Sequence, residues 1–346
     1  MGALPEHPQP EPAVRQPGGG RKRYDLRYPD IDAQFLAVLK EFTAGDPMDA
    51  QVVWTNLTPQ AIATLLAEQQ QVRVSKSVVR KLLRKHHYRR RKAQKKQTLK
   101  TVPHRDAQFA KISALKAEFV AAGNPIISFD TKKKEYLGNL YRAGHLYTRQ
   151  ELRTLDHDFT SDAEGLIIPH GIFDVQRNIG YLHLGTSKDT SEFACACIRA
   201  LWLNHGRDAY PRATALLGLC DGGGSNNSHY YIFKEDLQKL ADELGLEIRI
   251  AHYPPYCSKY NPIEHRLFPH VTRACQGVIF TSVALVKELM AKTHTSKGLQ
   301  VVVDIIETVY QTGRKIADDF KANRRIVFDE VLPQWNYRAL PKGTVI

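Results

Sequence analysis

The sequence of 346 residues contains little cysteine and no long apolar run, and both shortages exclude classes of protein. Its five cysteines form no CxxC pair and no cluster with histidine at zinc spacing, so we predict neither a disulfide framework nor a zinc centre. No run of about 18 apolar residues occurs, and the N-terminus lacks the apolar segment of a secretory signal. We therefore expect a cytoplasmic protein that makes no use of a membrane.

The usual nucleotide-binding and calcium-binding loops are also missing. The stretch "LCDGGGSNNSHYY" is rich in glycine, yet it fits neither G-x-x-x-x-G-K-[ST] nor G-x-G-x-x-G. Glycine also occupies the positions where a calcium loop needs Asp or Asn. What remains is Asp221 at the end of an apolar segment, followed by three glycines. We interpret these glycines as space for a metal ion and a phosphodiester to approach the backbone closely.

Acidic side chains are absent from one long segment, residues 72–100, which contains 13 Lys and Arg residues. The other 36 basic residues are balanced by the 36 acidic residues of the chain, so the whole net charge of +13 resides in this segment. Such a concentration of positive charge favours a polyanionic partner.

The basic segment includes the second of two predicted short helices. We assign residues 1–28 to a disordered, basic linker rich in Pro and Gly, and residues 29–100 to a small all-α domain. Thr58 and Ser75 are the expected N-caps of the two helices. A helix-turn-helix that binds DNA is the favoured interpretation, and a helical bundle with a solvated charged face is the alternative. The residues expected to contact DNA are Lys76, Ser77, Arg80, Lys81 and Arg84 on the second helix, and Arg89, Arg90 and Arg91 in the linker that follows it.

From residue 101 onward, the pattern changes to alternating strands and helices. Two apolar strands, 125–130 and 213–221, both end in aspartate, and residues 170–175 and 179–185 are expected to form a hairpin. We assign residues 101–280 to an α/β catalytic domain. Residues 281–346 are assigned to a C-terminal extension packed on that domain, with an irregular tail around "QWNY".

The two strand-end aspartates, Asp130 and Asp221, are candidate metal ligands, because ligands gather at the carboxyl ends of strands in α/β sheets. Glu264 in "SKYNPIEHRLF" is a third candidate. Helix capping is an alternative for this last motif, since Asn261 can be an N-cap and Glu264 the reciprocal acid of a capping box. Capping leaves the two aspartates unexplained.

Three segments together resemble the acidic motifs of bacterial insertion-sequence DDE transposases of the Rhodopirellula type. They are "SFDTKKKEYLGN", "CDGGGSNNS" and "HYPPYCSKYNPIEHRLF", and the resemblance extends to the more distant mariner-like enzymes. It implies a ribonuclease-H-like mixed sheet flanked by helices, preceded by the helix-turn-helix domain. It also places the D-D-E triad on Asp130, Asp221 and Glu264.

The resemblance further implies a two-metal reaction on DNA. Asp130 would bridge two Mg²⁺ ions, for which Mn²⁺ can substitute, and Asp221 and Glu264 would each complete one ion. Water would cut the transposon end, and the freed 3′-OH would attack target DNA. The expected partners are double-stranded DNA, as terminal inverted repeats and target, and further copies of the chain, with nucleoid association as a consequence. Additional expected site residues are Lys132, Lys133 and Lys134 along the DNA path, and Asn226 and His265 around the carboxylates.

Two other functions remain open on the sequence. One is a catalytically inactive or repurposed transposase that only binds DNA, and the other is a ribonuclease-H-like nuclease without strand transfer. We also expect His252 and Tyr253, at the end of a strand, to reach DNA. Pro269 is expected to break the helix that carries Glu264 beyond that residue.

Overall fold

The computed structural model describes residues 23–42, 44–46, 49–91, 102–157, 159–224 and 228–344. The chain divides into two compact units, Met1–Gln97 and Thr98–Ile346. Most of the linker predicted over residues 1–28 lies outside the described residues. Within the described part of the chain, no helix has the length and apolar character needed to cross a membrane.

The first unit contains the two helices predicted for the DNA-binding domain. Thr58 accepts a hydrogen bond from the backbone N–H of Ala61 at 3.1 Å, and Ser75 accepts one from Val78 at 3.4 Å, so both expected N-caps are present. The elements of this unit are α1 (Tyr24–Arg27), α2 (Ile31–Lys40), β1 (Ala44–Asp46), β2 (Asp49–Trp54), α3 (Pro59–Gln69) and α4 (Lys76–Lys85).

Apolar side chains from α2, α3 and α4 form the core of the first unit, with Phe35, Leu66 and Leu82 fully buried. Asp32 on α2 pairs with Lys85 and His86 at the end of α4, which links α2 to α4. The antiparallel ribbon β1–β2 corrects the expectation of a wholly helical domain. Its second strand, "DAQVVW", ends in β-branched and aromatic residues that favour strand over helix.

The second unit is built around a mixed sheet with helices on both faces. Its elements are α5 (Arg105–Ala121), β3 (Ile126–Thr131), β4 (Glu135–Leu137), β5 (Gly165–Asp174), β6 (Ile179–Gly185), α6 (Ser191–Leu201), α7 (Arg207–Ala209), β7 (Ala215–Asp221), α8 (Tyr231–Leu244), β8 (Glu247–Tyr253), α9 (Pro262–Arg266), α10 (Phe268–Ala274), α11 (Val283–Ala291), β9 (Gln300–Ile306), α12 (Phe320–Asn323), β10 (Ile326–Phe328) and β11 (Asn336–Ala339).

The central part of the sheet has the strand order β6-β5-β3-β7-β8. β7 runs parallel to both β3 and β8, whereas β5 runs antiparallel to β3 and β6. The β5–β6 pair is the predicted hairpin. This arrangement confirms the α/β class and the ribonuclease-H-like mixed sheet flanked by helices.

The two faces of the sheet are covered by different helices, because alternate residues of a strand point to opposite faces. Ile127 of β3 packs in the cluster that includes Phe193 of α6 and Phe233 of α8. Its neighbour Ile126 packs with Phe119 of α5. Counting by twos from Ile126, the side chains of Ser128 and Asp130 belong to the α5 face.

The C-terminal extension adds strands at both ends of the sheet, where β9 pairs in parallel with β6. Only the tail differs from the expectation: β11, which contains the end of "QWNY", pairs antiparallel with β8 and is not irregular. Tyr337 of β11 is buried in the main core. The tail is short and lacks a clear alternation, so its strand depends on pairing with β8.

Candidate active site

Two parallel strands bring the strand-end aspartates together. The parallel register of β3 and β7 aligns Ser128 with Leu219. Extending that register by two residues aligns Asp130 with Asp221, and both side chains then point to the same face of the sheet. Both residues are half-buried. The sequence prediction that these two acids share one site agrees with this alignment.

The third acid, Glu264, lies in the first turn of α9, on the same face of the sheet. Asn261 occupies the N-cap position of α9, but its side chain makes no capping hydrogen bond. The backbone N–H of Glu264 instead donates to the carbonyl oxygen of Asn261 at 3.1 Å. The capping-box alternative therefore lacks its defining side-chain bonds, and the carboxyl of Glu264 interacts with Asp130.

Mutual repulsion and burial raise the pKa values of both aspartates. Burial, followed by the charge of Asp221 and the proximity of Glu264, raises the pKa of Asp130 to about 7. Burial and the charge of Glu264 raise the pKa of Asp221 to about 6, against an opposing hydrogen bond from Asn261. Three neighbouring carboxyl groups thus concentrate negative charge that a cation would relieve.

A buried amide links the two strands to the helix. Asn261 is fully buried, and its amide nitrogen donates to Oδ1 of Asp221 across 3.4 Å. Its amide oxygen accepts from the Ser128 hydroxyl at 2.5 Å, and that hydroxyl accepts from the backbone N–H of Ile263 at 2.9 Å. Ser128 and Asn261 therefore fix the start of α9 against β3 and β7. The sequence signal for Asn261 was its place in "NPIE", which we interpreted as a cap.

Further hydrogen bonds stabilise the strand ends that carry Asp130 and Asp221. The backbone N–H of Thr131 donates to Oδ1 of Asp130 at 2.8 Å, and the Thr131 hydroxyl donates to Asp189 at 3.1 Å. Nδ1 of His252 lies 3.1 Å from the carbonyl oxygen of Asp221. Because burial lowers the pKa of His252 to about 4, its ring is neutral and Nδ1 carries the proton that this carbonyl accepts.

His252 and Tyr253 are structural rather than exposed, which corrects the expectation that they reach DNA. Their relative exposures are 0% and 4%. His252 also contacts the hydroxyl of Tyr337 at 3.0 Å through Nε2, and Tyr253 packs on Phe109 of α5. Both side chains point into the core because β8 is covered on both faces.

An open cleft of about 750 Å³ extends from Glu264 along the segment that follows β3. Lys133 and Lys134 are exposed at this cleft, and their contact with DNA stays a prediction. Lys132 is different, since it is nine-tenths buried and pairs with Glu135, which also binds Arg142 at 2.5 Å. This pairing argues against the DNA contact predicted for Lys132.

The predicted DNA-contacting residues of the first unit lie on one exposed surface of α4 and just beyond it. This surface consists of Lys76, Ser77, Arg80, Lys81, Arg84, Arg89, Arg90 and Arg91, all of which are exposed. The apolar side chains Val79 and Leu82 of the same helix are fully buried. The separation of charged and buried faces follows the period of the helix.

Of the two residues expected around the carboxylates, Asn226 lies outside the described residues. His265 is exposed on α9 next to Glu264, whose charge opposes the lowering of the His265 pKa by partial burial and by Arg266. Its role stays a prediction.

The donor set of the site fits a hard divalent cation. Carboxylate oxygens are the ligands that Mg²⁺ and Mn²⁺ prefer. Among the residues that the structure describes, however, no three Asp, Glu, His or Cys side chains already stand in a ligand arrangement.

Comparisons with known proteins identify similar solved structures and a family. No curated protein matches the chain. Solved complexes of the Mos1 transposase are similar to it, each at 16% identity and each over 72% of the Mos1 chain. The mariner paired-end complex with Mn covers 79% of this chain with a TM-score of 0.39. The pre-cleavage transpososome and the strand transfer complex each cover 80%, with TM-scores of 0.42 and 0.41.

The sequence itself matches the family described as the Rhodopirellula transposase DDE domain over residues 34–341. The match includes Asp130, Asp221 and Glu264, and it covers parts of both units. Because it spans most of the chain, the chain belongs to this family and is a DDE transposase, an enzyme that cleaves and transfers DNA strands.

Proposed function

We propose that Asp130, Asp221 and Glu264 are the catalytic triad and that they hold two Mg²⁺ or Mn²⁺ ions. The observation that carries this proposal is geometric: the parallel register of β3 and β7 aligns Asp130 with Asp221, and Asn261, at the start of the helix with Glu264, bonds to Asp221. Bound there, the ions would stabilise charge on the attacking and leaving oxygens of a phosphodiester and help to ionise water.

The residues of the chain have separate tasks in this proposal. Asp130 interacts with both Asp221 and Glu264 and would hold the ions together with them. Asn261 and Thr131 fix the carboxylates of Asp221 and Asp130 through hydrogen bonds. Lys133 and Lys134 face the cleft beside Glu264 and contact the phosphates of the DNA strand.

The substrates that we propose are the inverted repeats at the ends of a transposon and a target duplex. The exposed basic surface of α4 binds duplex DNA, while the triad cuts the end and joins its 3′-OH to the target. Bringing two ends together requires more than one copy of the chain, so we propose a homo-oligomer on DNA.

An assay on DNA that carries the terminal repeats, with Mg²⁺ or Mn²⁺, tests the proposal. We expect cleavage and joining by the natural chain. Asp221→Ala lowers cleavage about a thousandfold or more, because a lost metal ligand removes several kcal/mol of transition-state stabilisation. DNA affinity changes by less than about twofold, since the phosphate contacts remain.

Asp156→Ala is the matched control, because the Asp156 side chain is 92% exposed and lies outside the triad. Equal loss of cleavage and of binding in Asp221→Ala contradicts the assigned role. Binding by the natural chain without cleavage supports an inactive or repurposed protein. Cleavage without joining supports a nuclease.

A further inference from the structure

The loop between β8 and α9 presents an aromatic and basic surface next to the proposed triad. Residues 254–260, "PPYCSKY", contain no acidic side chain. Tyr256 is 63% exposed and Tyr260 42% exposed. Tyr260 is followed directly by Asn261, whose amide bonds to Asp221, and then by the helix that carries Glu264.

Two cations surround the exposed ring of Tyr260. The ammonium of Lys259 lies 5.1 Å from its centroid, and the guanidinium of Arg105 lies 5.7 Å from it. The Tyr260 ring also packs edge-on against Phe109 of α5, with centroids 5.0 Å apart. The ring is therefore held in position by the protein while part of it faces solvent.

The loop is ordered although it contains no regular element beyond one 3₁₀ turn, Ser258–Tyr260. Buried Cys257 anchors it, and backbone hydrogen bonds join Cys257 to Pro254 and Tyr260 to Cys257. Tyr256 at the tip of the loop has φ +62°, a left-handed backbone conformation that residues other than glycine rarely adopt. The fold thus exposes the Tyr256 ring to solvent, so burial of the ring does not offset the cost of this backbone conformation.

We propose that Tyr256 and Tyr260, with Lys259 and Arg105, form a stacking surface for an unpaired base of the DNA strand at the active site. Aromatic faces with neighbouring cations match a nucleobase with its phosphates. In a duplex both faces of a base are already stacked, so the surface favours a strand that is locally unpaired. This proposal rests on the proposed function, because it places the stacked base beside the triad.

Binding of a short duplex with a single-stranded overhang, compared with the blunt duplex, tests the proposal in the full-length protein without metal. The overhang contains 2-aminopurine, whose fluorescence falls when it stacks on an aromatic ring. We expect the natural chain to prefer the overhang and to quench the probe. Tyr256→Ala reduces the preference about fivefold to tenfold and restores the fluorescence, whereas Tyr256→Phe retains both effects.

Tyr147→Ala is the matched control, because Tyr147 is a fully exposed tyrosine of the same unit and lies outside the loop. Lys259→Gln provides a second variant, which we expect to reduce the preference and make it less sensitive to salt. Unchanged preference and quenching in both Tyr256→Ala and Lys259→Gln overturn the proposal. If these variants change the oligomeric state of the protein but leave the preference for the overhang intact, the proposal is also overturned, because the surface would then contact a second copy of the chain.

Metal-dependent cleavage by the natural chain is measured separately. If the chain cleaves DNA but Tyr256→Ala still prefers the overhang, the stacking surface is wrong and the proposed function stands. If Tyr256→Ala loses the preference but the natural chain never cleaves, the stacking surface stands and the catalytic assignment fails.

Discussion

At the scale of single residues, the site depends on a buried amide as much as on its acids. Asn261 joins β3, β7 and α9 through its bonds to Ser128 and Asp221. Residues that orient metal-binding carboxylates contribute strongly to metal affinity without contacting the ion. We therefore interpret Asn261 as a positioning residue of the proposed metal site.

Asn261→Ala tests this role. Since Asp221 loses its amide donor, we expect the half-saturating Mn²⁺ concentration for cleavage to rise about tenfold. Loss of the buried hydrogen bonds also lowers the free energy of unfolding by about 1–3 kcal/mol. The measurements are cleavage rate against Mn²⁺ concentration, and thermal unfolding without metal.

Asn204→Ala provides the control, because Asn204 is exposed between α6 and α7, away from the start of α9. A purely structural role for Asn261 predicts a lower melting temperature with an unchanged metal dependence. That result would remove Asn261 from the proposed metal site while leaving the triad intact.

At the scale of elements, the helix with Glu264 is divided, as the sequence predicted from Pro269. α9 and α10 are separated at Leu267, where φ and ψ are −121° and −63°. Close contact with the sheet sets their position, because Gly171 of β5 stands opposite Asp130 and faces Ile263 and Phe268. The neighbours of Gly171 in space come from a distant part of the chain, so the sequence alone does not predict why a glycine is needed there.

Gly171→Ala tests the fit between α9–α10 and the sheet. An added Cβ would lie 2.5 Å from the Phe268 ring and 2.8 Å from Ile263, so the helices must shift. We expect the free energy of unfolding to fall by about 1–3 kcal/mol. DNA cleavage should fall with it, because Glu264 moves with α9.

Gly223→Ala is the informative comparison in the loop after Asp221. No described atom lies within 4 Å of a Cβ built on Gly223. We expect unchanged thermal stability and reduced DNA cleavage if these glycines provide space for metal and DNA. Normal cleavage by Gly223→Ala would contradict that interpretation of the glycine stretch.

A second element, α4, carries the exposed basic surface of the first unit. Replacing Arg80 and Lys81 together with Gln removes two expected phosphate contacts. We expect DNA binding to weaken about tenfold and the slope of log affinity against log salt to flatten by about 2. Lys40→Gln, an exposed change on α2, is the control. If the double replacement weakens DNA binding by no more per removed charge than Lys40→Gln does, the alternative of a solvated helical bundle is favoured.

At the scale of the whole molecule, the raised pKa values link stability to pH. The folded protein holds protons on Asp130 and Asp221 up to about pH 7 and 6, whereas the unfolded chain releases them near pH 4. The stability that these groups contribute is therefore complete below about pH 4 and is lost as the pH rises through 6 to 7.

Melting temperatures of the metal-free protein across this pH range test the linkage. Relative to Asp130→Asn, we expect the natural chain to lose several degrees as the pH rises from about 5 to 8. Adding Mn²⁺ at the higher pH should raise the melting temperature of the natural chain more than that of Asp130→Asn. Parallel curves for the two proteins would show that neither burial nor the neighbouring acids raise the pKa of Asp130.

The sequence by itself determined the two N-caps of the first unit, the hairpin, the break at Pro269 and the exposed face of α4, and it proposed the three acids. These features depend on residue type and on periodicity within short segments. The tertiary structure decided the pairing of Lys132 with Glu135, the burial of His252, the bonds of Asn261 and the strand at "QWNY". Each of these depends on the neighbours that folding supplies, such as Ser128, 133 positions away from Asn261. Local periodicity carries no information about contacts at that separation, because they exist only once the sheet has formed.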